Sequence, residues 1–233
     1  DLHSFPTRRS SDLHIALLSK PATHRRERRA RNIMPRLYLV RHAKPAAGWG
    51  QETDPGLDTA GIAQAETVAS KLASVLHRLR ILSSPLRRCR ETAQPLERSW
   101  QQTAAIFPAV AELPTPPLNL VARHEWLAAA MLGTWTELQE SAPTGSIDYL
   151  AWRQTLLGSL TSLQHDSVIF THFIAINVMV GAARGVDNVV CFRPNHASVT
   201  IVETSEDGLR IARLGREAIT TVMANSDARL RVN

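Results

Sequence analysis

The chain has 233 residues, 44% hydrophobic and 21% charged, which gives apolar mass for one globular domain with a sizeable core and excludes wholesale disorder. A net charge of +6 invites a nucleic-acid reading, but residues 1–33 hold eight Lys/Arg against three acids, so +5 sits there and the remainder carries only +1. Two cysteines, Cys89 and Cys191, without C-x-x-C spacing exclude a disulfide framework and a zinc site, and the apolar stretch 173–183, broken by Asn177, is shorter than the roughly 20 residues of a membrane helix.

Residues 1–33 show no apolar periodicity beyond 15–18, a run too brief for a secretory h-region. They are expected to form an unstructured extension, with Met34 a candidate start and the opening DLHSFPTRRSSDL resembling translated adapter sequence. A transit peptide or a nucleic-acid-binding tail are the rival readings. Residues 34–233 are expected to be a single domain with a flexible tail from about 220, in a soluble, cytoplasmic protein.

Leu37, Tyr38, Leu39 and Val40 form a compact apolar run that ends at Arg41-His42-Ala43-Lys44-Pro45, the pattern of a buried strand delivering polar groups at its C-terminal end. Asp58 or Thr59 caps a helix in which Ile62, Ala65, Ala69, Leu72 and Leu76 recur at intervals of three and four. Residues 79–82 are the next strand. Ser84 then reads as a helix N-cap with Pro85 at the first helical position, Arg88 in the opening turn, and Pro95 kinking or ending the helix.

Prolines 108, 114, 116 and 117 make 107–120 mostly irregular, with 109–113 a candidate short strand. An amphipathic helix is predicted over 147–163 and a strand over 167–171 ending at His172. A helix over 174–183 and a hairpin of 198–203 with 209–214 around Asp207-Gly208 follow. Strands alternating with helices predict an α/β fold, a mostly parallel central sheet with helices on both faces. Ligands bind beyond the carboxyl ends of such strands, where Arg41-His42, Ser84 to Arg88 and Thr171-His172 collect.

These residue types suit a phosphate. A phosphomonoester carries about two negative charges near neutral pH. The planar guanidiniums of Arg41 and Arg88 can grip its oxygens, a protonated His172 can add a third cation, and a neutral His42 can attack phosphorus. The resulting phosphohistidine is hydrolysed by water. Side-chain cations supply the stabilisation a metal otherwise gives, so no metal or other cofactor is expected.

Over 37–200 the sequence resembles the histidine phosphatase superfamily, also called the phosphoglycerate mutase-like family. Its Arg-His-Gly signature is similar to Arg41-His42-Ala43, its Ser-x-Leu-x-Arg segment to Ser84-Pro85-Leu86-Arg87-Arg88, and its second histidine to Thr171-His172. The resemblance implies a phosphoglycerate mutase-like fold, a phosphohistidine intermediate on His42, and phosphate binding by Arg41, Arg88 and His172. Glu112 is the best match by chain order for the acid/base, with Glu52, Asp54 and Glu125 as alternatives. Ala43 and Phe173 stand where the family has glycine. Ala43 therefore requires a backbone that avoids positive φ.

Arg87, Arg90 and Glu91 read as a solvated helix face, His124 and His196 as structural or surface histidines, and Asn195 and Ser198 as pocket-rim candidates. Trp126 and Trp135 serve core or lid packing, and 123–127 can contribute to recognition. Neither cysteine has the Cys-x5-Arg spacing of a cysteine phosphatase, since Pro95 and Ala197 stand at the sixth positions onward. The expected activity is hydrolysis of a phosphorylated small molecule, with a phosphoprotein as the alternative substrate and neither nucleic acid nor membrane as a partner. Mutase-like phosphoryl transfer and a non-catalytic phospho-ligand-binding module are the other readings.

Overall fold

Arg36–Arg41 forms strand β1, whose Leu37 and Leu39 point to one side of the sheet and Tyr38 and Val40 to the other. All four are buried, because helices cover both faces and an alternating pattern is not required. The computed structural model describes residues 34–48, 51–143, 145–205 and 208–218, all within one unit, Met34–Asn233. The extension 1–33 and the tail from about 220 lie outside the described residues.

Six strands line up in the order β3-β2-β4-β1-β5-β6, where β2 is Arg80–Ser83, β3 Ala105–Ile106, β4 Ser167–Thr171, β5 Val199–Ser205 and β6 Gly208–Arg213. The pairs β3/β2, β2/β4 and β4/β1 are parallel, and β1/β5 and β5/β6 antiparallel. The sheet is thus mostly parallel in its core. Helices α1 (Thr59–Val75) and α2 (Arg87–Trp100) pack with Tyr38, Val40, Val168 and Phe170. Helices α3 (Leu120–Ala130), α4 (Trp135–Glu140), α5 (Tyr149–Thr161) and α6 (Phe173–Arg184) pack with Leu37, Leu39, Leu82 and Ile169.

Asp58 is the N-cap of α1, accepting from Gly61 N–H at 2.6 Å and so satisfying one of the helix's unpaired N-terminal donors. A Cβ on Gly61 would lie 2.1 Å from Lys44 O, so glycine alone lets this helix press on the loop that follows His42. Ile62, expected on the buried face, is 55% exposed; Gly61, Ala65, Val68, Ala69 and Leu72 form that face instead.

Three local expectations need correction. Ser84 does not cap α2: Leu86 is the N-cap without a side-chain bond, and the Ser84 hydroxyl lies 2.7 Å from His172 Nε2 and accepts from Leu86 N–H at 3.3 Å, one residue ahead of the helix. Pro95 does not end α2, which continues to Trp100 because Pro95, Leu96 and Trp100 are all buried in the core and that packing outweighs the lost backbone bond. Residues 109–113 are not a strand. Pro108 starts a 3-10 turn, Pro108–Val110, and β3 lies just before it.

Candidate active site

The parallel ladder sets the tips of three strands side by side. His42 N–H donates to Thr171 O at 2.9 Å and Ser84 N–H to Phe170 O at 2.9 Å, extending β1/β4 and β2/β4 pairing by one residue each. On the other flank Arg41 N–H donates to Ser198 O at 3.1 Å. His42, Ser84 and His172 therefore emerge at one edge of the sheet.

His42 is buried, and its Nδ1 lies 2.9 Å from Ala43 O. A carbonyl can only accept, so Nδ1 carries the proton and the lone pair belongs to Nε2. Nε2 is buried and has no hydrogen-bond partner among the described residues. Ala43, whose backbone is not in the positive-φ region, is also held through its N–H by Thr92 Oγ1 at 2.9 Å. Thr92 in turn donates to Arg88 O at 2.6 Å, which ties the loop after His42 to the first turns of α2.

His172 is the N-cap residue of α6 and fully buried, with Nε2 2.7 Å from Ser84 Oγ and 3.3 Å from Cys89 Sγ. The rings of His42 and His172 are 5.3 Å apart. Burial, followed by neighbouring cationic side chains, pushes both imidazoles well below the ordinary histidine value of 6.5. His172 is thus held neutral by its surroundings rather than as the protonated cation expected from sequence. An incoming dianion would raise it.

Arg41 is half-buried, donates through Nη1 to Pro194 O at 2.8 Å and lies 5.0 Å from the centre of the Phe173 ring. Phe173, standing where the family has glycine, thus packs on the guanidinium. Burial lowers Arg41 to about 10, with Glu112 opposing the shift. Arg88 is 6% exposed, with Nη1 3.6 Å from Asp54 Oδ1, whereas Arg87 points outward to Glu91 at 2.7 Å. Glu91 is not simply solvated, since it also accepts from Leu57 N–H at 2.6 Å.

Glu112 is positioned by the 3-10 turn, which Thr171 Oγ1 holds by donating to Val110 O at 2.8 Å. Its Oε1 accepts from Leu113 N–H at 3.0 Å and Ile174 N–H at 3.3 Å, while Oε2 is buried without a partner among the described residues. Burial raises its carboxyl, against the pull of those hydrogen bonds and of Arg88 and Arg41. Of the alternatives, Asp54 is occupied by Arg87 N–H and Arg88, Glu52 is an exposed residue lining the cleft, and Glu125 is exposed on α3 away from it.

His196 belongs to this cluster, although its sequence context suggests only a structural or surface histidine. Its ring is 5.6 Å from that of His42, and burial with Arg41 and Lys44 lowers it to about 4. The next residue, Ala197, takes the left-handed conformation at φ 51°, which costs about 1 kcal/mol, and donates to Arg41 O at 3.1 Å. Asn195 and Ser198 support that turn by accepting from His196 N–H and Arg41 N–H, respectively. His124 is exposed, Trp126 stacks on Tyr149 at 5.8 Å, and Trp135 is a core residue.

A groove of about 680 Å³ runs along α1 past His196 and Arg216, and neither Arg88 nor Glu112 lines it. A narrower cleft, about 20 Å³, is lined by Arg88 and Glu112 together with Pro45, Glu52, Pro55, Thr115 and Arg123. Arg88 and Glu112 line this narrow cleft, whereas His196 lines the larger groove and His42 and His172 line neither. Among the described residues no three His, Cys, Asp or Glu side chains are grouped as a metal site requires, and no helix is long and apolar enough to cross a membrane.

A strand-helix sheet with an Arg-His tip, a second histidine one strand over and an arginine in the next helix defines a histidine phosphatase-type α/β protein. The model of the histidine phosphatase superfamily (branch 1) matches residues 37–217, and the chain belongs to that family. No curated protein matches it. Among solved structures, TTHB049 from Thermus thermophilus is 23% identical, with a TM-score of 0.54 over 78% of this chain and 99% of that one. A mycobacterial hydrolase is 21% identical, with a TM-score of 0.61 over 79% and 99%. A mycobacterial glucosyl-3-phosphoglycerate phosphatase, solved with VO3, is 21% identical, with a TM-score of 0.60 over 79% and 100%. At these identities the likeness shows the fold alone.

Proposed function

We propose that this protein hydrolyses phosphomonoesters of small molecules through a phosphohistidine on His42. The observation that carries the reading is that four of the six buried side-chain polar atoms without a partner among the described residues belong to this cluster: His42 Nε2, Arg41 Nε, Arg88 Nε and Glu112 Oε2. Each such atom costs about 1–3 kcal/mol, a penalty that a phosphoryl group would relieve. It accepts from the two guanidiniums, receives the lone pair, and presents its leaving oxygen to the carboxyl.

His42 Nε2 attacks phosphorus as the bond to the leaving oxygen breaks, and Glu112 gives its proton to that oxygen. The phosphorylated ring is positively charged, and Nδ1–H donating to Ala43 O stabilises that charge. Glu112, now ionised, takes a proton from water as the water attacks phosphorus and the P–N bond breaks. Inorganic phosphate leaves, and His42 regains its lone pair. A nucleophile held neutral loses nothing to protonation at pH 7.

Hydrolysis is favoured over transfer because only α2, β3 and the 3-10 turn lie between Arg88 and Glu112, with no capping insertion to hold a product. The narrow cleft favours a small substrate over a folded phosphoprotein. The test is 4-nitrophenyl phosphate turnover with EDTA present, its inhibition by vanadate, and acid-labile phosphate on quenched enzyme. His42→Ala should lose turnover and label together. Turnover that survives in His42→Ala, or that requires an added divalent metal, would overturn the mechanism.

A further inference from the structure

We propose that the groove along α1 is a second binding site, for a small organic anion with an apolar body, such as a medium-chain carboxylate. It is separate from the phosphate pocket, since none of Arg41, His42, Arg88, Glu112 and His172 lines it. Its volume of about 680 Å³ falls within the roughly 300–1,000 Å³ of small-molecule sites.

The charge of the ligand follows from the lining. Lys71, Arg213 and Arg216 line the groove, and no acidic residue does. Residues 34–233 carry only +1 in all, so three cations without an acid among them concentrate the field of a nearly neutral domain in one place. The ammonium and the two guanidiniums form no hydrogen bond or ion pair with any described residue. The acids of the same elements are committed elsewhere, Glu66 of α1 to Arg98 and Glu203 of β5 to Arg36 and Arg210.

The apolar body follows from the rest of the surface. On α1, Gln64, Val68, Lys71 and Val75 recur at intervals of three and four and so share a face. Val75 is 75% exposed, and Val199 and Leu214, which also line the groove, are only half-buried, so apolar area is left uncovered beside the cations. An inorganic anion would leave that area wet, and an uncharged apolar ligand would leave the cations unanswered. The chain's own ends are poorly suited as occupants: residues 1–33 carry +5, and 219–233 hold two arginines against one aspartate, the same sign as the groove.

The test uses the full chain and the fluorescence of 8-anilinonaphthalene-1-sulfonate. The dye should occupy one saturable site, more weakly as salt is added. Decanoate should displace it, whereas decyltrimethylammonium, with the same chain and opposite charge, and acetate, with the same charge and no chain, should not. Lys71→Glu/Arg213→Glu should weaken dye and decanoate by at least about tenfold, and Lys71→Gln/Arg213→Gln by less in the same direction, which keeps the test valid if the charge reversal fails to fold. Arg90→Glu, exposed on α2, and Arg88→Gln should leave affinity within about twofold. No saturable binding, displacement by the cation as readily as by decanoate, or affinity unchanged in both groove variants overturns the proposal. Loss of binding in Arg88→Gln alone would place the dye in the phosphate pocket and overturn it equally.

Discussion

Replacing Glu112 by glutamine removes a proton donor while keeping the group that the backbone holds. Leu113 and Ile174 N–H, at 3.0 and 3.3 Å from Oε1, find the same carbonyl oxygen in the amide, and Nε2 takes the place of the partnerless Oε2. General acid catalysis contributes about 100- to 10,000-fold, in proportion to the basicity of the leaving group. Phosphorylation of His42 by an alkyl phosphate should therefore slow by on the order of 1,000-fold in Glu112→Gln, and by less than about tenfold with 4-nitrophenyl phosphate. Rapid quench must isolate the phosphorylation step, since losing the base slows dephosphorylation for every substrate.

The pH response supplies a second reading of the same group. Burial raises the Glu112 carboxyl above its ordinary 4.5, so the acid form persists above the usual carboxylate range. Wild-type phosphorylation by the alkyl substrate should fall as pH rises through that raised value, and the variant's should not. Because the fold prefers the protonated form, its contribution to stability is full below 4.5 and is lost as pH rises through the folded value. Glu112→Gln should thus melt above wild type at pH 8, with the gap closing toward pH 4. Wild-type phosphorylation rates for both substrates in the variant would refute Glu112 as the acid and direct attention to Glu52 or Asp54.

Arg88→Ala should cost at least about 100-fold in kcat/KM, the loss of two charge-assisted bonds in a buried site. Arg87→Ala, which removes only an exposed, solvent-screened pair with Glu91, should stay within about threefold; equal losses would show that the wrong guanidinium was assigned. His42, His172 and His196 all titrate below 6.5 in the fold, so their stabilisation is present above that value and is lost as pH falls through the depressed values. Melting temperature in the Glu112→Gln background should drop as pH falls below 6.5, less steeply with His172→Asn, and a flat profile down to pH 4 would contradict the depressed values.

The strand tips are legible in the sequence because an apolar run ending in polar residues has few structural alternatives: 167–171 reads as β4 without error. The hairpin β5/β6 is legible from its turn residues. Sequence does not show that β5 lies beside β1, with Val40 opposite Val199, and this adjacency is what brings His196 next to His42. Ser84 misleads because a serine before proline suits a helix cap equally well, whereas here its hydroxyl meets His172 and Leu86 N–H and the helix begins later, at Arg87. Helices α3 and α4 give no clear signal. Among the described side chains of α3, Leu127 and Ala130 alone are buried, too sparse a pattern to announce a helical face.

The sheet's two borders differ from its interior in a way that bears on handling the protein. An outer strand offers unpaired N–H and C=O groups to any neighbouring chain, the usual route to edge-to-edge aggregation. At one border β3 is two residues long and is followed within two residues by Pro108, which has no N–H to offer. At the other, among the described residues, β6 carries Arg210 and Arg213, and its register with β5 slips between Ile201 and Val202. Brevity and proline on one side, charge and a bulge on the other, deny an incoming strand a long flat template. Association in concentrated solution should therefore proceed through side-chain surfaces, leaving the backbone ladder closed to extension.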